Sequence, residues 1–174
     1  MSNKSKNKGK SWERKVCLFL SDLYEESFIR VPNSGAFVGG QNEIRKANLS
    51  TEQIKLMRGD IIPPEYYPHC LIECKNYAQF PFHLLGHKTI PLLDGWIEQV
   101  EHETTSDNDV WLLFIKVTRK GQYVLYSTEF LHPLKLGVAY KRYWFCEMDY
   151  FFKMYKDDMK IRWKGLYGRQ TEEN

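Results

Sequence analysis

The sequence predicts an α/β domain in which a mixed central sheet is flanked by helices. Two segments, at about 11–27 and 91–104, repeat apolar residues at helical spacing and are predicted to be amphipathic helices. Residues 109–117 form the most apolar run of the chain, which is typical of a central strand buried on both faces. Three shorter strands lie between the two helices, so the predicted order is helix, strand, strand, strand, helix, strand.

The length and composition indicate a single globular unit. A chain of 174 residues is most simply one domain, and its hydrophobic content of 43% is enough for a real core. We assign residues 10–165 to this domain, with an insertion at about 38–57. A flexible basic arm at 1–9 precedes it, and a loose tail at 166–174 follows it.

The first helix and strand carry two polar residues of interest. Ser11 is predicted to cap the helix, and Glu13 lies in its first turn, at the edge of the buried face. The strand at 28–31 is ended by Pro32, and a turn follows at 33–35.

The last third of the chain is less regular. Residues 122–127 alternate in polarity as an edge strand does, and residues 143–146 are predicted to form another strand. A helix is predicted over 147–159, with aromatic residues on one side. We expect this side to pack into the core, the alternative being a dimer interface.

Several classes of protein and of site are disfavoured. No apolar run approaches the roughly 20 residues of a membrane span, and no apolar signal core follows the N-terminal charges, so we expect a cytoplasmic protein without a membrane partner. The four cysteines have no disulfide spacing and are predicted to be reduced and buried. Cys70 and Cys74 are too far apart on a strand to share zinc, and His83 with His87 is a weak ligand pair.

Three charged residues interrupt two apolar strands in the middle of the chain. Asp60 lies in the first of these strands, Glu73 and Lys75 lie in the second, and a turn rich in Pro and Tyr joins them. If the segment folds as an antiparallel hairpin, Asp60 lies opposite Glu73, with Cβ atoms about 4.5–5.5 Å apart. Glu73 and Lys75 are two residues apart and therefore share a strand face. The sequence predicts two carboxylates and an ammonium at one site.

Two carboxylates at that distance repel each other unless a cation or a proton lies between them. Asp60, Glu73 and the backbone carbonyl of Cys74 offer hard oxygen ligands, which suit Mg²⁺, with Mn²⁺ as a substitute. Lys75 would hold or deprotonate the attacking water, or stabilise developing negative charge. This pattern predicts hydrolysis of a phosphodiester.

Three further residues are candidates for the same site. Glu13 could complete the metal shell or bind a second ion, and Gln99 of the second helix could orient water or phosphate. Ser34, in the loop after the first strand, could donate a hydrogen bond to a phosphate oxygen.

Basic residues outside this site indicate a nucleic-acid partner. The net charge of +3 is weak evidence, but lysines alternate through the N-terminal arm. Phosphate contacts of this kind make binding strongly dependent on salt. The predicted DNA contacts are Lys8, Lys10, Arg30, Arg45, Lys46 and Lys116.

The central motif also resembles a known superfamily. Gly59-Asp60-Ile61-Ile62 followed by Ile72-Glu73-Cys74-Lys75 is similar to the motif of the PD-(D/E)xK nucleases. Gly59 stands where the superfamily usually has Pro, a change that we expect to be harmless. Trp12-Glu13-Arg14 and the stretch 30–35 resemble the archaeal-type Holliday junction resolvases and their phage-encoded relatives.

The resemblance covers about residues 9–126 and implies a restriction-endonuclease-like core. It implies that Glu13, Asp60 and Glu73 bind metal, that Lys75 is catalytic and that Ser34 assists at the phosphate. It further implies a homodimer that cuts a four-way DNA junction. The insertion and the aromatic C-terminal part depart from the family pattern.

Three alternatives remain open at this point. The first is an endonuclease of the same fold that acts on duplex DNA, of restriction, nicking or repair type, because fold does not fix the substrate. The second is a nucleic-acid-binding protein that keeps the fold without catalysis, although an intact Asp60, Glu73 and Lys75 argue against it. The third is an unrelated globular protein with a chance motif.

Overall fold

The computed structural model describes residues 3–32, 58–127, 129 and 135–166. The predicted insertion, Ser34, Arg45, Lys46 and all but the first residue of the predicted tail lie outside these residues. The described elements, in chain order, are α1 (Asn3–Tyr24), β1 (Ile29–Arg30), β2 (Ile61–Ile62), β3 (Cys70–Tyr77), a 3₁₀ helix (Phe82–Leu84), α2 (Pro91–His102), β4 (Val110–Val117), β5 (Gly121–Ser127), β6 (Val138–Tyr140), β7 (Tyr143–Glu147) and α3 (Met148–Trp163).

The main sheet has five strands in the order β3-β4-β5-β7-β6. Strand β3 runs parallel to β4, and the other pairs are antiparallel, so the sheet is mixed as predicted. The parallel pair needs a crossover connection, which α2 supplies. Strand β3 lies at one end of the order and so offers its outer edge to other groups.

Each face of the sheet is covered by helices. One face carries α1 and α3, whose buried residues include Leu20 and Phe152, and the other carries α2 through Leu93 and Ile97. Strand β4 is buried on both faces, as its apolar sequence predicted. The mixed sheet flanked by helices confirms the predicted fold class.

The first helix begins earlier than the sequence indicated. It starts at Asn3, so residues 3–9 are helical and the prediction of a flexible arm is wrong for them, as is the cap at Ser11. Lysine is a good helix former, and the side-chain amide of Asn76 donates to the Lys8 carbonyl at 2.9 Å, which ties this part of α1 to β3.

The predicted edge position of residues 122–127 is also wrong. Strand β7 pairs along β5 from Tyr123 to Ser127 and makes it an interior strand. The first residues of β5 are polar because they are exposed next to the turn. The last four residues of the strand are buried.

The C-terminal aromatic residues pack inward. Phe151, Phe152 and Tyr155 of α3 are buried in the same cluster as α1, which confirms core packing over an interface made of these residues. The four cysteines are free thiols, and three of them are buried. In the described part of the chain, no helix is long and apolar enough to cross a membrane.

Candidate active site

Asp60 is held between two strands by its own backbone. Its N–H donates to the Ile72 carbonyl of β3 at 2.8 Å, and its carbonyl accepts from the N–H of Val31 at 2.9 Å. Its carboxylate Oδ2 accepts the N–H of Cys74 at 2.9 Å. The Asp60 carboxylate is therefore fixed beside the edge of β3, next to Glu73.

This juxtaposition arises differently from the predicted hairpin, and the prediction of an antiparallel Asp60–Glu73 pair is wrong. Strand β2 pairs with β1, with Ile62 opposite Ile29, while β3 pairs with β4. The prolines at 63, 64 and 68 lack N–H donors, so the chain after β2 cannot continue a ladder along β3. Asp60 reaches β3 through single hydrogen bonds at the start of β2.

Glu73, Lys75 and Gln99 form a closed hydrogen-bonded network. The Lys75 ammonium donates to Oε1 of Glu73 at 2.8 Å and to Oε1 of Gln99 at 2.6 Å. The Gln99 amide donates to the same Glu73 oxygen at 2.7 Å. Glu73 and Lys75 share a face of β3, and the crossover helix α2 brings Gln99 to that face.

The surroundings of the Glu73 carboxylate hold too little positive charge to offset its burial, and its pKa is raised. Glu73 is only 3% exposed, and burial, followed by the negative charge of Asp60, raises its pKa from 4.5 to about 8. The Lys75 ammonium lowers the pKa but does not compensate. A cation between Asp60 and Glu73 would remove this penalty.

The donor set fits a small hard cation. No three His, Cys, Asp or Glu side chains converge as a ready set of metal ligands among residues 3–32, 58–127, 129 and 135–166. Mg²⁺ needs no such set, because it typically binds one or two carboxylates and keeps waters and substrate phosphate as its other ligands. Asp60, Glu73 and the Cys74 carbonyl match that requirement.

Glu13 lies at the edge of the site with a partner of its own. The guanidinium of Arg30 donates to Glu13 Oε2 at 2.9 Å, and the two side chains are 20% and 11% exposed. The predicted metal ligand and the predicted DNA contact are thus paired with each other. The pair joins α1 to β1 beside Asp60.

The basic residues predicted to contact DNA are partly described. Lys8 and Lys10 are exposed on α1, and the backbone carbonyl of Lys8 is bonded to Asn76, the residue after Lys75. The ammonium of Lys116 lies 5.7 Å from the ring centroid of Trp12. Lys8 and Lys116 therefore lie on the α1 side of the sheet, opposite the α2 side that carries Glu73 and Lys75.

The sequence reasoning missed the residues that hold the segment leading into Asp60. The Gly59 N–H donates to Glu103 Oε2 at 2.7 Å, at the end of α2. The buried guanidinium of Arg58 donates to the carboxylate of Asp109 and to the Thr105 hydroxyl, the latter at 2.8 Å. The sequence did carry a signal for this ion pair. Arg58 lies just before one apolar strand, and Asp109 opens another.

Gly59 is required by the backbone here, at the position where the superfamily motif usually has proline. Its φ is +64°, and a Cβ atom would lie 2.4 Å from the Ile72 carbonyl oxygen. Proline has φ near −65° and no N–H, so it could neither adopt this conformation nor bind Glu103. In this chain, the positive φ of Gly59 and its hydrogen bond to Glu103 position the backbone that leads into Asp60.

We expect Gly59→Ala to destabilise the protein by about 1–2 kcal/mol from the positive φ alone, and by more through the clash with Ile72. Gly59→Pro should cost about 3 kcal/mol or more. The matched control is Gly95→Ala, since a Cβ at Gly95 of α2 meets nothing within 4 Å and should leave stability unchanged or raised. Urea unfolding measures all three; equal stability of the two alanine variants would contradict the role of Gly59.

We expect Glu73→Gln to stabilise the metal-free protein at alkaline pH. The pKa of the Glu73 carboxyl is about 8 in the folded protein and 4.5 in the unfolded chain, so the folded protein binds this proton more tightly. Stability is then full below pH 4.5 and falls by up to about 1.4 kcal/mol per pH unit as pH rises toward 8.

The measurement is the thermal midpoint in EDTA at pH 5.5 and 8.5. The gain of the variant over the wild type should be larger at pH 8.5 than at pH 5.5, and Glu98→Gln on the exposed side of α2 should show no such increase. A wild-type midpoint that rises from pH 5.5 to 8.5 relative to Glu73→Gln would show that the sign is wrong.

A mixed α/β sheet with Glu73 and Lys75 on its edge strand and Asp60 beside them defines a nuclease of the PD-(D/E)xK class. A family model described as "Phage putative PDDEXK endonuclease" matches residues 4–162, and the chain belongs to this family. Comparisons with curated proteins and with solved structures returned no match. The predicted superfamily is thus confirmed, and membership supports a phage-type nuclease that acts on DNA, in a superfamily that generally uses divalent metals.

Proposed function

We propose that the protein is a Mg²⁺-dependent endodeoxyribonuclease selective for branched DNA, with the four-way Holliday junction as its foremost substrate. The observation that carries the proposal is the Lys75–Glu73–Gln99 network beside the Asp60 carboxylate. Two buried carboxylates, a lysine and an amide at one exposed sheet edge suit phosphodiester hydrolysis better than any structural role.

Asp60, Glu73 and the Cys74 carbonyl would hold the cation, with Mn²⁺ as a substitute. A divalent ion bound there polarises the phosphate and lowers the pKa of an attacking water. The chain's own residues do the rest. The two hydrogen bonds from Lys75 to Glu73 and Gln99 fix its ammonium and leave, within the described residues, one N–H for a phosphate oxygen or the attacking water.

Gln99 orients Glu73 and Lys75 and can turn its amide to water or phosphate. Glu13, which lies at the edge of the site in an ion pair with Arg30, would supply a further carboxylate to the metal, and Arg30 would contact phosphate. Ser34 is proposed to donate a hydrogen bond to the phosphate. The DNA backbone is contacted by Lys8, Lys10, Arg30, Arg45, Lys46 and Lys116.

The preference for a branch is supported by the similarity of Trp12-Glu13-Arg14 and residues 30–35 to junction resolvases. Resolution needs two symmetric cuts, so we propose a homodimer whose two sites act on one junction. We place its action on recombining or repaired DNA in the cytoplasm of a phage-infected cell.

The test offers end-labelled four-way junction, flap, plain duplex and single-stranded DNA to the protein with Mg²⁺, Mn²⁺ or EDTA. The proposal expects paired symmetric cuts in the junction, and none in EDTA. Equal cutting of plain duplex would replace it by a restriction-type, nicking or repair endonuclease. Junction binding with no cutting under any metal would instead indicate a non-catalytic binding protein.

A further inference from the structure

An exposed aromatic ring lies on the same strand face as the catalytic pair. Tyr77 is the last residue of β3, two residues beyond Lys75 and four beyond Glu73, so all three side chains point to the α2 side of the sheet. Tyr77 is 38% exposed, whereas most large aromatics in the described residues are buried. The ring therefore faces solvent about 6.6 Å along the strand from Lys75.

The ring is held in place from behind. Trp96 of α2 is 5% exposed, and its ring centroid lies 4.7 Å from that of Tyr77. The backbone carbonyl of Tyr77 accepts the N–H of Thr118 at 2.9 Å, which anchors the end of β3 to the turn after β4. A ring fixed on one side and open on the other is a ready stacking surface, since little side-chain freedom is lost when a ligand covers it.

A cleft begins at the next residue. It has a volume of about 490 Å³ and is lined by Ala78, Gln79, Phe80, Pro81, His83, Val117 and Lys120. Its walls are mainly apolar, while Lys120 brings a positive charge and Arg119 adjoins it in the same turn. Apolar walls with a basic rim complement a nucleobase attached to a phosphate backbone.

The structure of DNA limits which substrates could place a base on the Tyr77 ring. In an intact duplex, both faces of each base are covered by its neighbours, so no base can stack on a protein ring without leaving the helix. A nucleotide next to the cut phosphate meets Tyr77 only if it is unpaired and its strand is extended along β3. At the point of strand exchange, the last base pair of an arm can lose a stacking neighbour, so a nucleotide there leaves its pair at a lower cost than one inside an intact duplex.

We propose that Tyr77 and the cleft that follows it form a stacking subsite for one unpaired nucleotide adjacent to the cut, with its phosphate at Lys120. This inference rests on the proposed nuclease function and refines its substrate: the enzyme reads an unstacked base at a branch. The subsite makes discrimination against intact duplex a property of β3 itself.

The experiment uses Tyr77→Ala and Tyr77→Phe beside the wild-type protein, with the folding of each checked by thermal unfolding. The substrate is a four-way junction with 2-aminopurine at each of the three nucleotides on either side of the mapped cut, bound in EDTA and then cut with Mg²⁺. Stacking on Tyr77 quenches 2-aminopurine at one position in the wild-type and Tyr77→Phe complexes. In Tyr77→Ala, the quenching is lost and the rate of junction cutting falls by about 5- to 150-fold, while the slower cutting of duplex changes little.

The outcomes separate the two proposals. Two results would overturn the stacking subsite and leave the nuclease intact, given a wild-type protein that cuts the junction. In the first, Tyr77→Ala cuts the junction as well as the wild type does. In the second, Tyr77→Phe loses as much cutting as Tyr77→Ala. A wild-type protein that cuts nothing overturns the nuclease, and position-specific quenching that depends on Tyr77 would still support the subsite. Lys120→Gln, on the cleft's basic rim, should weaken junction binding without abolishing the quenching, and unchanged binding would remove Lys120 from the subsite.

Discussion

Lys75→Met should lower the rate of DNA cleavage by roughly 10²- to 10⁴-fold while DNA binding persists. The ammonium is the positively charged member of the network with Glu73 and Gln99, and we propose that it stabilises charge developing on the phosphate. Methionine fills a similar volume without an N–H donor, so the fold should survive. Because the proposed phosphate contacts lie outside this network, the loss should appear in the rate of the cut.

Single-turnover cleavage and filter binding together measure this effect. The control is Lys153→Met, which removes an exposed lysine from α3, on the other side of the sheet. Asp60→Asn should match Lys75→Met in cleavage but, unlike it, should also shift the Mg²⁺ concentration that is needed. Cleavage by Lys75→Met within a few-fold of the wild type would exclude a catalytic lysine at this position.

Arg58→Met should destabilise the protein by about 3–5 kcal/mol. Arg58 and Asp109 have side chains only 6% and 2% exposed, and the arginine is the positive partner of a carboxylate that also accepts the backbone N–H groups of Thr105 and Ser106. Removing the guanidinium leaves the Asp109 charge buried without that partner. The loss of a buried ion's partner is among the costliest single changes in a protein.

Equilibrium unfolding in urea gives the free energy directly. Lys141→Met is the matched control, because it breaks an ion pair with Asp94 in which the lysine side chain is 50% exposed, and it should not move the midpoint measurably. Arg58→Met should also slow cleavage, since Arg58 holds the segment that carries Asp60. Similar unfolding midpoints for the two variants would contradict a structural role for the buried pair.

The local sequence pattern predicted the helices and strands well, but it predicted less well which elements pair with each other. The apolar run of β4 and the helical spacing of α2 are fully determined by nearby residues, and both are as predicted. The position of β5 depends on β7, which comes more than 15 residues later in the chain, so alternation within β5 could not reveal it. The N-terminal part of α1 likewise has a distant partner, since the carbonyl of Lys8 accepts a hydrogen bond from Asn76, 68 residues away.

The site divides in the same way. Glu73 and Lys75 were readable because charged side chains on an apolar strand are unusual, and their strand period places them on one face. The approach of Asp60 to Glu73 was predicted, but through a hairpin that does not form. Its actual support comes from Gly59 and Arg58, whose partners Glu103 and Asp109 are recognisable only once α2 and β4 are in place.

Helix α2 touches both halves of the site from a single face. Gln99 binds Glu73 and Lys75 of β3, and Glu103, one turn further on, binds the backbone that leads into Asp60. We therefore expect the site to assemble as the crossover helix docks, rather than in a locally formed hairpin. Hydrogen exchange at the Gly59 amide should then follow the opening of α2. A motion that loosens this helix should separate the carboxylates of Asp60 and Glu73, and metal binding and cleavage should then be lost together.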